Sequence, residues 1–78
     1  MQKRRKNSLG VRALKAIGKR MRKGRKGADM TQVEMAKVLQ VDASNVRHYE
    51  SGRQAPSAAV LVRYCKHMNV SADEILGL

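Results

Sequence analysis

The stretch Thr31–Gly52, TQVEMAKVLQVDASNVRHYESG, restricts the folds open to this chain more than any other part of it. Thr31 and Glu34 have capping-box spacing, in which each side chain satisfies an orphan backbone N–H of a helix's first turn, so a helix starts there. Met35, Ala36 and Leu39 then form one apolar stripe, and Ala36 is small enough for a second helix to cross closely. A second short helix is expected after Asp42, an N-cap residue, with Val46 and Tyr49 turned inward at i, i+3. That pattern leaves Ala43, Ser44, Asn45, Arg47 and His48 on the outward face. The stretch therefore reads as two short helices joined by a tight turn, the second with a free polar face.

The remainder supplies a scaffold. Val11, Leu14, Ile17 and Met21 predict a first helix from near Ser8 or Gly10 to about Lys26, weakened by Gly10, Gly18 and Gly24 at roughly 1 kcal/mol each. Gly27 to Met30 read as a connection, with Met30 placed for a hydrophobic staple ahead of Thr31. Arg53 to Ser57 form a turn with Pro56 and an N-cap serine. Val60, Leu61, Tyr64, Cys65 and Met68 make the clearest amphipathic stripe in the chain, and Asn69 suits the left-handed residue that ends a helix. Ser71 with Glu74 repeats the capping box and opens a last short helix. The expected architecture is all-α, a compact bundle of five short helices over residues 9–78, with a disordered basic arm at residues 1–8.

Charge narrows the class of partner. The net charge is +11. Twelve basic side chains and no acid fall in residues 1–28, whereas five basic and six acidic ones follow, a net −1 for residues 29–78. A basic front on a near-neutral body points to a polyanion, most simply nucleic acid, with Lys3, Arg4, Arg5 and Lys6 of the arm free to meet phosphates. A solubilising tail is the plainer reading of the arm. Anionic membrane is the competing polyanion, but Gly10, Gly18 and Gly24 interrupt any amphipathic face. No apolar run matches a membrane span or the core of a signal peptide, so a soluble, cytoplasmic protein is expected.

Chemistry at a catalytic site is not expected. Cys65 stands alone within an apolar stripe, which makes it core packing rather than a nucleophile or half of a disulfide, and no Cys/His set has zinc spacing. His67 borders the same stripe and reads as a surface residue. No paired carboxylates, metal set or phosphate-cradling glycine loop is found, and no cofactor is implied. The five methionines read as core filler in a chain without Phe or Trp.

Taken in order, Ile17-Gly18, Arg25, Thr31-Gln32, Met35-Ala36, Val46, Tyr49-Glu50-Ser51-Gly52, Pro56-Ser57 and Met68-Asn69-Val70-Ser71 resemble the Cro and phage-repressor helix-turn-helix family, also called lambda-repressor-like or xenobiotic-response-element type. The likeness covers about residues 17 to 76. It implies a sequence-specific double-stranded DNA-binding transcriptional regulator, repressor-like and bacterial or phage-encoded, that binds as a homodimer to a palindromic operator. It further implies a structural pair between Arg25 and Glu50, backbone contacts from Gln32 with Thr31 beside it and from Ser51 and Arg53, and base reading by Ala43, Ser44, Arg47 and His48, with Asn45 at the edge. The side chains suit base reading, since Arg grips guanine O6 and N7, Asn pairs with adenine, and an Ala methyl meets that of thymine.

Two positions depart from the family pattern. Gln40 replaces the usual turn glycine, so either the turn tolerates it or Gln40 is strained. Asp42 replaces the usual Ser or Thr cap, where it accepts from cytosine N4 or repels phosphate. Ile75, Leu76 and Leu78 are the expected dimer contact, from leftover hydrophobicity alone. A restriction-modification controller, an autoregulating antitoxin with a toxin partner, and a non-specific nucleic-acid binder stay open as alternatives.

Overall fold

A computed structural model of the protein describes the backbone of residues 6–78 and the side chains of residues 10–78. It contains α1 (Lys6–Gly27), α2 (Gln32–Leu39), α3 (Ala43–Ser51), α4 (Ala58–Met68) and α5 (Ala72–Leu76), with no strand among the described residues. α1 is helical from the first described residue, Lys6, so it reaches back past the expected start near Ser8 or Gly10. Lys3, Arg4 and Arg5 of the expected arm lie outside the described residues.

The helix ends follow the local chemistry. Both capping boxes close, Thr31 with Glu34 and Ser71 with Glu74, and the Ser57 hydroxyl accepts from the Val60 amide at 3.1 Å. Asp42 occupies the N-cap of α3 with extended backbone, but its carboxylate makes no capping bond, contrary to expectation. Gln40 and Asn69 end α2 and α4 in the left-handed conformation, with φ of 61° and 56°. Gln40 is therefore the strained alternative, at about 1–2 kcal/mol over glycine. The turn recovers part of this, since the Val41 amide donates to the Ala36 carbonyl at 3.0 Å and closes the helix end.

One core joins all five helices: Ile17 and Met21 of α1, Met35, Ala36 and Leu39 of α2, Val46 and Tyr49 of α3, Val60 and Tyr64 of α4, and Ile75 of α5. Leu61, Cys65 and Met68 pack around it as the α4 stripe predicts, and His67 is exposed. Two expectations fail here. Val11 lies half-exposed, because the bundle packs on α1 only from Leu14 onward. Ile75 belongs to its own chain's core and is not free to form a dimer contact; α5 lies against α1, and the Ile75 carbonyl accepts from Arg20 Nη1 at 3.1 Å. Leu76 is partly buried against the core, and Leu78 is 88% exposed.

The three α1 glycines have different roles. Gly10 borders open space. Gly18 lies against the end of α3, where an added Cβ would come within 2.7 Å of the Glu50 carbonyl oxygen and closer still to that of Tyr49. Gly24 makes room for the Tyr64 hydroxyl, which donates to the Met21 carbonyl at 3.0 Å. Two of the residues that weaken α1 as an isolated helix are thus the points where its neighbours approach closest.

Two outcomes follow. Gly10→Ala should stabilise the protein by up to about 1 kcal/mol through helix propensity, whereas Gly18→Ala should destabilise it by about 1–3 kcal/mol through overpacking; urea unfolding of both variants checks the sign. Burial, with a smaller contribution from Glu50, pushes the Tyr64 phenol up to about 12 from its ordinary 10. The unfolded chain ionises first as pH rises, so this stabilisation is complete below pH 10 and is lost between about pH 10 and 12. In thermal melts, Tyr64→Phe should be less stable at neutral pH and decline less steeply across that window.

Candidate nucleic-acid interface

α3 is held by its inward side chains. Val46 is 1% and Tyr49 4% exposed, and the small Ala36 of α2 is also buried where the helices pack. With those two positions turned in, Arg47 stands exposed, and Ser44, Asn45 and His48 are half-buried around it. Ala43 is partly buried, as Ser44, Asn45 and His48 are. It packs against the core, because it shares a face with Val46 three residues on.

The last turn of α3 carries the most connected group in the molecule. Glu50 accepts from Arg25 Nε at 2.7 Å and from Arg25 Nη2 at 3.0 Å, a bidentate pair with both side chains buried. Arg25 Nη1 also donates to the Met30 carbonyl at 2.8 Å. The hydrogen bond to Glu50 raises the guanidinium pKa further above its ordinary value, against the opposing effect of burial. Gln32 Nε2 donates to Glu50 Oε1 at 3.1 Å. The Glu50 carboxylate therefore ties α3 to α1 and to the first residue of α2, and Arg25 extends the group to the connection before α2.

The other expected backbone contacts surround this knot. The exposed Thr31 hydroxyl accepts from the Glu34 amide at 3.0 Å, and as a hydroxyl it keeps its own hydrogen to donate elsewhere. Ser51 is exposed, its hydroxyl donating to the His48 carbonyl at 3.2 Å. Arg53 is exposed in the loop that the left-handed Gly52 opens, φ 81°. A shallow cleft over Glu50 is lined by Arg22, Gln32, Arg47, Glu50 and Ser51. Because Arg25 neutralises Glu50, the free charges of this cleft are the guanidiniums of Arg22 and Arg47.

Arg22 was missed by the reading of the motif, although helical spacing carries the signal. It lies four residues after Gly18 and three before Arg25, the two α1 positions that meet the end of α3. Among the described residues no group of His, Cys, Asp and Glu could hold a metal ion, and no helix is long and apolar enough to cross a membrane.

A family model described as helix-turn-helix matches residues 21–75. The chain belongs to the Cro/C1-type helix-turn-helix family. Among its relatives, antitoxin PezA of Streptococcus pneumoniae is 33% identical over 61 residues, 78% of this chain and 39% of that protein. The HTH-type transcriptional regulator ImmR of Bacillus subtilis is 34% identical over 62 residues, 80% of this chain and 49% of that protein. The chain thus spans less than half the length of either relative. The restriction-modification controller protein C.AhdI of Aeromonas hydrophila superposes with a TM-score of 0.73 over 80% of this chain and 94% of its own, at 22% identity, which establishes a shared fold. In this helix-turn-helix protein, α2 and α3 are the two helices of the motif and Gln40 is its turn.

Replacing one partner of the buried pair should be costly. Glu50→Ala leaves the Arg25 guanidinium buried without its counter-charge, and a loss of about 3–5 kcal/mol in denaturant unfolding is expected.

Proposed function

We propose that this helix-turn-helix protein is a sequence-specific DNA-binding transcriptional regulator, with α3 entering the major groove of an operator. The observation that carries the reading is the exposed Arg47 on a helix whose opposite face is buried through Val46 and Tyr49 and whose end is clamped by Glu50 and Arg25. A guanidinium carried on an anchored helix is well suited to grip guanine O6 and N7. Ser44, Asn45 and His48 flank it as further base readers, with the Ala43 methyl at the margin. Thr31, Gln32, Ser51 and Arg53 hold phosphates on either side, and the Glu50 bond presets the Gln32 amide for that contact.

One α3 helix reads only a few base pairs, too little to compete with genomic non-specific sites. The active species is therefore a homodimer that places two such helices one DNA turn, about 34 Å, apart on a palindromic operator. Leu76 and Leu78 remain available for the subunit contact, with Ile75 withdrawn into the core. In this reading the protein is repressor-like and occupies its operator in the cytoplasm of a bacterial host.

A second reading is favoured by one observation, the 33% identity to an antitoxin. In that reading the same domain binds its own operator while a toxin occupies another surface. Co-purification of a neighbouring gene's product with the tagged protein separates the two.

Selection of bound duplexes from a random pool should yield a preferred, inverted-repeat site. On that site Arg47→Ala is expected to cost about 1–3 kcal/mol in affinity and on random duplex almost nothing. Equal weakening on both, measured by fluorescence anisotropy, would assign Arg47 to the backbone and refute base reading.

A further inference from the structure

Beside the cleft over Glu50, α1 carries a second hollow on its outer side, lined by Lys19, Arg20, Arg22, Lys23 and Lys26. Arg22 lines both. Each of these five side chains is exposed, and no acidic residue lines the hollow. Arg20 at its margin is committed to α5, since its guanidinium donates to the Ile75 carbonyl. Lys19, Arg22, Lys23 and Lys26 make no hydrogen bond or ion pair to the described part of the chain.

That arrangement works against the helix that bears it. Lys15, Lys19 and Lys23 fall at successive i, i+4 positions, as do Arg22 and Lys26, and like charges so spaced cost an exposed helix about 0.2–0.5 kcal/mol per pair. No acid in the first turn of α1 offsets them. A ligand that brings negative charge to this face relieves every one of those repulsions at once.

We propose that this hollow is a phosphate-binding surface, over which a DNA strand leaving α3 crosses α1. The strand passes from Arg47 and Gln32 to Arg22, and Lys19, Lys23 and Lys26 hold the next phosphates. Charge complementarity and continuity through Arg22 fit a polymer with regularly repeated charges. The surface adds affinity without adding sequence preference, because phosphate contacts carry no direct base information. It also gives the positive charge of α1 a place in the complex, separate from any contribution of residues 1–5. The inference rests on the DNA-binding reading above.

The test compares two triple variants of equal charge in the full chain. One is Lys19→Gln, Lys23→Gln, Lys26→Gln; the other is Arg12→Gln, Lys37→Gln, Lys66→Gln, at exposed sites on α1, α2 and α4 away from the hollow. The probe is a random-sequence duplex titrated by fluorescence anisotropy at several salt concentrations, with circular dichroism reporting that each variant is folded. Each lost phosphate contact lowers the slope of log affinity against log salt by about 0.9, so the first triple should flatten it by about 2–3 and the second by less than about 1. Equal flattening by the two triples would mean diffuse charge and would overturn the proposal, as would an unchanged slope in the first. Failure of the parent protein to bind any duplex at low salt would instead sink the DNA-binding reading itself.

Discussion

The buried contact between Arg25 and Glu50 is the constraint from which the rest of the arrangement follows. Isolating two charges from water costs several kcal/mol for each, recovered only when geometry is good and the remaining donors and acceptors are satisfied. Here both conditions hold: the guanidinium meets the carboxylate through two bonds and the Met30 carbonyl through a third, and the Gln32 amide takes another site on Glu50. Such a pair contributes more to where helices sit than to net stability. It fixes the end of α3 against α1 and the start of α2, so the exposed Arg47 one turn earlier is presented on a preorganised helix.

Packing along α1 supports the same geometry by a different means. As an isolated helix α1 is poor, with glycines in its interior and like charges one turn apart. Its stability comes from tertiary contact: Gly18 admits the end of α3, and Gly24 admits the hydroxyl of Tyr64, which anchors α4 to the Met21 carbonyl. A side chain at either glycine would push a neighbouring helix outward and take the Arg25 and Glu50 side chains out of register. The weakness of the helix alone and the closeness of the bundle have one cause.

Electrostatically the molecule has two parts. α1 carries the cations, and the part of the chain from Asp29 onward is near neutral. On the outward face of α3 the exposed Arg47 stands among the partly buried Ser44, Asn45 and His48. The surplus charge lies beside it on α1, around the hollow lined by Lys19, Arg20, Arg22, Lys23 and Lys26. Asp42 is the exception, an exposed carboxylate with no capping bond at the entrance of α3.

Much of this was readable from residue spacing. The capping pairs Thr31/Glu34 and Ser71/Glu74, the inward pair Val46 and Tyr49, and the α4 stripe depend on neighbours within one or two helical turns, and such local rules settled five helices, their order and the outward position of Arg47. Partners distant in sequence were another matter. The Arg25–Glu50 pair came from family likeness, since nothing local links residues 25 apart. The same limit explains why Ile75 seemed free when α1 covers it, and why Gly18 and Gly24 passed for defects. Arg22 sits on the α1 face that Gly18 and Arg25 mark by spacing, but spacing alone does not say that this face meets α3 beside Arg47. Periodicity specifies which face of a helix is buried; which neighbour does the burying, and how close it comes, depends on interhelical distances that no short window of residues encodes.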